Sequence, residues 1–154
     1  MRAFRWAVLN VPNPTNVIGC PFFNDFVMPS KKDSTAAVAF VFVMPEYNQG
    51  YNAPLKNALD YLYTEWHDKP VGFVSYGGIA AGTRAVQMTK QIVSALKMLP
   101  VYEAVYIPFV ASRIEDGRFN PSDVTEEAAG ALLDELVRVE AGLHTLRAAP
   151  AVQA

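Results

Sequence analysis

The sequence has few of the residues that mark disulfide-linked, metal-binding or nucleic-acid-binding proteins. Its single cysteine, Cys20, excludes a disulfide framework and a four-cysteine zinc site. It has two histidines, His67 and His144, with no ligand partners near them, so no metal centre is expected. Thirteen Lys and Arg against fifteen Asp and Glu give a formal net charge of −2, whereas nucleic-acid binders concentrate basic charge. A lone thiol is typical of the reduced cytosol, and a cytoplasmic location is expected.

Long apolar runs and charged residues are also scarce. The longest apolar run, 36–44, is too short to cross a bilayer, so no membrane association is expected. No secretory signal is expected either, because residues 1–9 contain no apolar run of useful length. Charged residues make up 18% of the chain, below the roughly 25% typical of soluble proteins, which suggests surface covered by a partner subunit. The length predicts one domain over 1–147, with a frayed tail at 148–154.

The order of strand-like and helix-like patterns predicts an α/β fold. Apolar runs predict strands at 36–44, 71–76 and 101–110. Apolar residues at helical spacing predict helices at 54–66, at 83–99 and from Asp123 to the tail. The first run is continuous rather than alternating, as in parallel strands that are buried on both faces. Strands that alternate with helices predict right-handed βαβ units on a parallel sheet.

The first 35 residues do not complete this pattern. Residues 4–11 can form a strand, but the following segment contains four prolines and has no helical periodicity. A parallel neighbour normally requires a crossover of a dozen or more residues, usually a helix. We therefore expect 1–35 to be irregular and short of one complete βα unit.

Two loops at successive strand ends are candidates for a binding site, because ligands of open parallel sheets bind at the carboxyl ends of strands. In the loop 45–50, backbone amides without a strand partner can hydrogen-bond a flat polar ring, and Tyr47 offers an aromatic wall. In the loop 75–82, Gly77 and Gly78 permit close approach of the backbone to a ligand at a helix N-terminus. By itself the loop 75–82 is also compatible with a tight turn, and the loop 45–50 with a helix-entry loop, but together they would face one cleft.

Together these segments resemble the NAD(P)H-dependent FMN reductase family of flavodoxin-like proteins. The resemblance covers about 36–110 and is carried by Pro45-Glu-Tyr-Asn48, Pro54-Leu-Lys-Asn-Ala-Leu-Asp60, Lys69-Pro-Val71, and Ser75-Tyr-Gly-Gly78 with Gly82, Arg84 and Ala85. Pro21-Phe-Phe-Asn-Asp25 is similar to the family's loop after its second strand. The resemblance implies a flavodoxin-like three-layer sandwich with a parallel sheet and a truncated or altered amino-terminal βα unit.

The resemblance also implies the cofactors FMN and NAD(P)H. Hydride would pass from NAD(P)H through bound FMN to FMN, a quinone or a similar small-molecule electron acceptor. The implied contacts of the isoalloxazine ring are Pro45, Glu46, Tyr47, Asn48, Ser75, Tyr76, Gly77 and Gly78. Because the chemistry belongs to the cofactor, no side chain is named as catalytic.

One family motif is missing from the sequence. The family's phosphate-binding loop reads Gly-Ser-x-Arg-x-x-Ser, and the nearest candidate here, 10–16, has no arginine, no glycine and two prolines. An alternative function is therefore a non-catalytic flavodoxin-like subunit that has lost tight FMN binding and acts through its oligomer interface. A third alternative is that Met1 is not the natural start.

The helix predicted at 54–66 has more aromatic surface than one core face requires. Tyr61, Tyr63 and Trp66 either pack within the monomer or form a subunit interface, where Tyr and Trp are enriched. The resemblance implies the interface, in a homodimer or homotetramer. Lys56, Asn57 and Asp60 are predicted to be structural, either as a solvated face or through pairs at i,i+4 spacing such as Lys56–Asp60.

Overall fold

The computed structural model describes residues 6–10 and 31–148, with side chains described from Ser34 onward. The strands are β1 (Trp6–Asn10), β2 (Ala39–Pro45), β3 (Pro70–Tyr76), β4 (Leu99–Ile107), β5 (Ile114–Glu115) and β6 (Arg118–Phe119). The helices are α1 (Lys31–Ala36), α2 (Ala53–Tyr61), α3 (Thr83–Ala95) and α4 (Asp123–Ala148), with 3₁₀ turns at Thr64–Trp66 and Val110–Arg113.

The main sheet is parallel, in the order β1-β2-β3-β4, and a short antiparallel hairpin pairs β5 with β6. Residues of α2 and α3 share one core with the sheet, and residues of α4 share the other core, so the sheet lies between two helical layers. This arrangement confirms the predicted flavodoxin-like three-layer sandwich. In the pairing of β3 with β4, Val71 pairs with Pro100 and Phe73 with Ala104, so the one residue between the first pair and the second on β3 lies opposite three residues on β4, which is a bulge in β4.

The amino-terminal stretch contains more regular structure than the sequence predicted. The strand expected within 4–11 is confirmed as β1, which pairs with β2 from Trp6↔Ala39 to Asn10↔Val43. The first five residues of the short helix α1 also lie within the 35 residues that were expected to be irregular, so that expectation was wrong there. Its six residues, mostly polar, are too few to show an apolar period. The segments 11–30 and 149–154, including Cys20, Pro21–Asp25 and most of the tail, lie outside the described residues.

Strand β2 is the centre of both cores, and all seven of its residues are buried. Its Phe40 and Phe42 face α2 and α3, where the Phe40 ring meets the Trp66 ring edge-on at 4.9 Å between centroids. Its Val41 and Val43 face α4. The predicted burial on both faces is thereby confirmed, and it fixes the position of the loop that follows β2.

Two predicted helices are shorter than expected. The helix predicted at 54–66 is observed as α2 and a separate 3₁₀ turn, because the backbone of Leu62 is extended. Its start is fixed by Asn52, whose side-chain oxygen accepts the Leu55 N–H at 3.0 Å. The helix predicted at 83–99 ends at Ala95, because β4 begins at Leu99. The predicted Lys56–Asp60 pair is present, with 2.6 Å between Nζ and the nearer carboxylate oxygen.

A buried lysine joins α1 to the start of β3. Lys69, 7% exposed, donates from Nζ to the carbonyl oxygens of Ser34 at 2.7 Å and Thr35 at 3.3 Å. Burial, assisted by the nearby charge of Arg147, lowers the pKa of Lys69 from 10.5 to about 8. Arg147 itself pairs with the buried Glu140, so charges of both signs surround this lysine.

No helix in the described part of the chain is long and apolar enough to cross a membrane.

Candidate functional site

An open pocket of about 420 Å³ lies where β2, β3 and β4 end. Because the strands are parallel, the loops that follow them meet at the same edge of the sheet. The described lining residues come from three loops: Pro45, Glu46, Tyr47, Tyr76, Gly77, Gly78, Phe109, Val110, Ala111 and Ser112. The two loops predicted to share a cleft therefore do so, and a third loop joins them.

The loop after β2 is a closed turn. The amides and carbonyls of Tyr47 and Gly50 exchange hydrogen bonds of 2.9 Å, and both intervening residues have left-handed backbones. Glu46 N–H donates to the Tyr76 carbonyl at 3.0 Å, so the expectation that the amides of this loop are free was wrong for Glu46, Tyr47 and Gly50. Tyr47 is half-buried at the pocket, and burial raises the pKa of its hydroxyl. Asn48 lies exposed in the turn and is not among the lining residues.

The loop after β3 is fixed from beneath by Ser75. This residue is fully buried, and its hydroxyl donates to the Ala81 carbonyl at 2.8 Å, so it supports the loop and is not among the lining residues. Gly82 caps α3 with φ +85°, and a Cβ there would lie 2.6 Å from the Cβ of Ser75. Only glycine fits both the conformation and the space.

Gly78 presents open backbone to the pocket. A Cβ at this residue would meet no atom within 4 Å, and its amide donates to no other described residue. This is the backbone surface that the sequence predicted for close approach of a ligand. Gly77 is held more firmly, since its amide donates to the Ile107 carbonyl at 3.3 Å.

An ion pair joins the first loop to α3. Glu46 accepts from Nε of Arg84 at 2.6 Å and from the Arg84 backbone N–H at 3.2 Å, and it also contacts the guanidinium Nη2. The Glu46 side chain is 7% exposed, so this carboxylate is almost entirely occupied by its partner. The N-terminus of a helix also favours a negative charge. Glu46 therefore braces the pocket through its side chain.

The third loop was missed by sequence reasoning. Residues 109 and 110 donate to the carbonyl oxygens of Gly78 at 3.2 Å and Gly77 at 3.4 Å, which ties this loop to the turn after β3. The apolar run 101–110 predicted a strand through Val110, but β4 ends at Ile107. The sequence did contain a signal for this loop. A third parallel strand was predicted, so the loop after it had to lie beside the loops after the other two strands.

The pocket suits a flat ring with polar edges. Tyr47, Tyr76 and Phe109 provide aromatic surface, and Gly78 provides a backbone donor. Glu46 is the only charged residue among the described lining residues, and Arg84 neutralises it. The described residues also contain no cluster of side chains able to hold a metal ion. These features fit the isoalloxazine ring, while residues 11–16 of the phosphate-loop candidate lie outside the described part of the chain.

The chain is similar to proteins named as FMN reductases and as quinone oxidoreductases. It is 47% identical over 88 residues to an NAD(P)H-dependent FMN reductase of Schizosaccharomyces pombe, covering 56% of this chain and 42% of that one. It is 37% identical over 106 residues to an NAD(P)H-dependent FMN reductase of a Nectria species, covering 63% and 53%. Over 59 residues it is 42% identical to an NADPH:quinone oxidoreductase of Arabidopsis thaliana, covering 36% and 30%. The chain thus spans about half the length of its first two relatives.

A solved structure supports the fold, and a family model identifies the chain. The flavoenzyme NAD(P)H:(acceptor) oxidoreductase FerB of Paracoccus denitrificans superposes with a TM-score of 0.57 at 22% identity, covering 71% of this chain and 65% of that one. The model of the NADPH-dependent FMN reductase family matches residues 11–112, which include the loops after β2 and β3. Since that match covers more than half of the sequence, the chain belongs to the NADPH-dependent FMN reductase family.

Proposed function

We propose that this protein is a flavin-dependent NAD(P)H oxidoreductase that binds the ring of FMN in the pocket of the three loops. The observation that carries the proposal is the combination of aromatic walls with the open backbone of Gly78. In that pocket, bound FMN would supply the redox chemistry for hydride transfer from NAD(P)H to a small-molecule electron acceptor. Family membership and the names of the relatives support this chemistry.

The chain's own residues provide placement. The Gly78 amide is available as a donor to a polar ring edge, and Tyr47 and Tyr76 exclude water from the ring faces. The Glu46–Arg84 pair holds the first loop against the start of α3, directly after the second loop, which preorganises the pocket. No described side chain needs to accept or donate a proton for this role. The acceptor is proposed to be FMN or a quinone, because relatives carry both names.

Titration of the purified protein with FMN and with riboflavin, followed by quenching of flavin fluorescence, tests the proposal. We expect both flavins to bind and to support oxidation of NADH or NADPH. The ratio of the two Kd values reports on phosphate recognition, because each charge-assisted hydrogen bond contributes roughly 1.5–3 kcal/mol. Near-equal Kd values would indicate that the phosphate contributes little to affinity.

Two glycines provide a matched control for this titration. A Cβ at Gly78 and a Cβ at Gly142 both meet no atom within 4 Å, but only Gly78 lines the pocket. We expect Gly78→Leu to abolish flavin binding and Gly142→Leu to leave it unchanged. A wild-type protein that binds neither flavin and does not oxidise NAD(P)H would refute the enzyme assignment. It would favour the non-catalytic subunit instead.

The same proposal includes a homodimer or homotetramer formed through the surface of 54–66. Of its three aromatic residues, Trp66 is buried and donates from Nε1 to the carbonyls of Leu59 and Leu62 at 3.1 Å. Tyr61 and Tyr63 are 77% and 58% exposed, which supports an interface there. Sedimentation velocity of a Tyr61→Lys, Tyr63→Lys variant should show smaller particles than the wild type, and a monomeric wild type would contradict the interface.

The cytoplasmic location and the single domain over 1–147 stay predictions.

A further inference from the structure

Phe109 has an unusual combination of side chain, backbone and exposure. It is 56% exposed, and it belongs to neither of the two core clusters. Its φ is +47°, in the left-handed region that bulky residues rarely adopt. Of the described residues with this conformation, Phe109 alone has an aromatic side chain. Folding gains little from a phenylalanine here, since an asparagine or glycine would adopt the backbone more easily.

The surrounding structure nevertheless fixes this conformation. The Phe109 amide donates to the Gly78 carbonyl at 3.2 Å, and the Phe109 carbonyl accepts from both the amide and the hydroxyl of Ser112 at 2.8 Å. Val110 donates to Gly77 at 3.4 Å. A strained residue that is held by several hydrogen bonds at a pocket is the arrangement found at ligand clamps.

From these observations we infer that Phe109 is a ligand-contact residue, whose ring stacks on a planar aromatic ligand bound beside the turn after β3. The ligand class is the flavin ring itself, so the inference rests on the proposed function and adds a determinant of ring affinity. The hydrogen bond from the Phe109 amide to the Gly78 carbonyl links the residue that carries the phenyl ring to the backbone that would meet the edge of the flavin ring. Phe109 thus presents apolar surface to the ligand without contributing to a core.

Lumiflavin, which carries the ring without the ribityl phosphate, is the probe that isolates this contact. Phe109→Asn keeps a residue that tolerates left-handed backbone and removes the aromatic ring. We expect it to raise the Kd of lumiflavin about fivefold or more, as loss of an aromatic stack predicts. Its melting temperature should not fall below that of the wild type. Phe109→Tyr should bind lumiflavin within about twofold of the wild type.

Lys97→Asn is the matched control, because Lys97 is exposed with φ +57° and is not among the lining residues. We expect it to leave the Kd of lumiflavin unchanged. If wild type and Phe109→Asn bind lumiflavin equally, the inference is overturned while the proposed function stands. A wild type that binds neither lumiflavin nor FMN overturns both. If Phe109→Asn and Phe109→Tyr lose the same amount of lumiflavin affinity and also melt at the same lowered temperature, Phe109 has a structural role and the inference is overturned.

Discussion

Gly82 supports the turn after β3, and its replacement by alanine tests how closely that turn is packed. Two costs arise in Gly82→Ala. A non-glycine residue at φ +85° costs roughly 1–2 kcal/mol. The new Cβ would also lie 2.6 Å from the Cβ of Ser75 and 3.0 Å from the Tyr76 amide nitrogen, and such overpacking costs roughly 1–3 kcal/mol. We expect a loss of about 2–5 kcal/mol in the free energy of unfolding.

Gly117 separates the two costs. It has φ +74°, but a Cβ there would meet no atom within 4 Å, so Gly117→Ala pays only for the backbone. Both variants gain the same small benefit from a less flexible unfolded chain, which cancels in the comparison. Gly82→Ala should therefore lose about 1–3 kcal/mol more than Gly117→Ala.

Urea unfolding followed by tryptophan fluorescence measures both values, because Trp66 is buried and reports loss of the core. The turn supports the pocket, so Gly82→Ala should also weaken flavin binding, whereas Gly117→Ala should not. A Ser75→Gly background removes the Cβ that the alanine meets, and the cost of Gly82→Ala should fall there. Equal destabilisation by the two alanine variants would refute the close packing of Gly82 on Ser75.

Two further predictions concern charged groups. Glu46→Gln should weaken flavin binding and lower the free energy of unfolding by about 1 kcal/mol, a value that is reduced because Arg84 is half exposed. A double-mutant cycle with Arg84→Met that shows no coupling energy would contradict the stabilising role of the Glu46–Arg84 pair. For Lys69, the unfolded chain binds more protons between pH 8 and 10.5, so stability rises with pH in that window. Relative to Lys69→Met, the free energy of unfolding of the wild type should increase by about 3 kcal/mol between pH 7.5 and 10.5, as measured by urea titrations. Lys97→Met, which replaces an exposed lysine, is the control. If the difference in free energy of unfolding between the wild type and Lys69→Met does not change with pH, the lowered pKa of Lys69 is refuted.

The sequence was most informative where one physical constraint determined the pattern. Burial on both faces requires a continuous apolar run, so β2 and the position of the loop after it were predictable. Paired glycines before a helix likewise predicted the open backbone at Gly78. The roles of Glu46 and Ser75 were not predictable in this way. Their side chains interact with Arg84 and with the Ala81 carbonyl, and no local pattern records such contacts.

Element ends were less predictable, because competing signals meet there. The run 101–110 stays apolar past the end of β4, since Val110 belongs to the core although it lies in the loop. The pocket loop at Phe109 was therefore predicted as strand. Helix α1 was missed for the opposite reason, since it is too short to display a period and its packing against the 3₁₀ turn 64–66 is a tertiary contact.

The bulge in β4 has a consequence for how copies of this chain can associate. β4 is one of the two outer strands of the described sheet, and Tyr102 projects from the bulged stretch, almost completely exposed. An irregular ladder gives an incoming strand no continuous row of donors and acceptors, which is how natural sheets avoid fusing edge to edge. Assembly by continuation of the sheet, including fibril-like stacking, is thereby disfavoured at this border. Any association at this border must instead depend on side-chain surfaces, where affinity can be tuned one residue at a time.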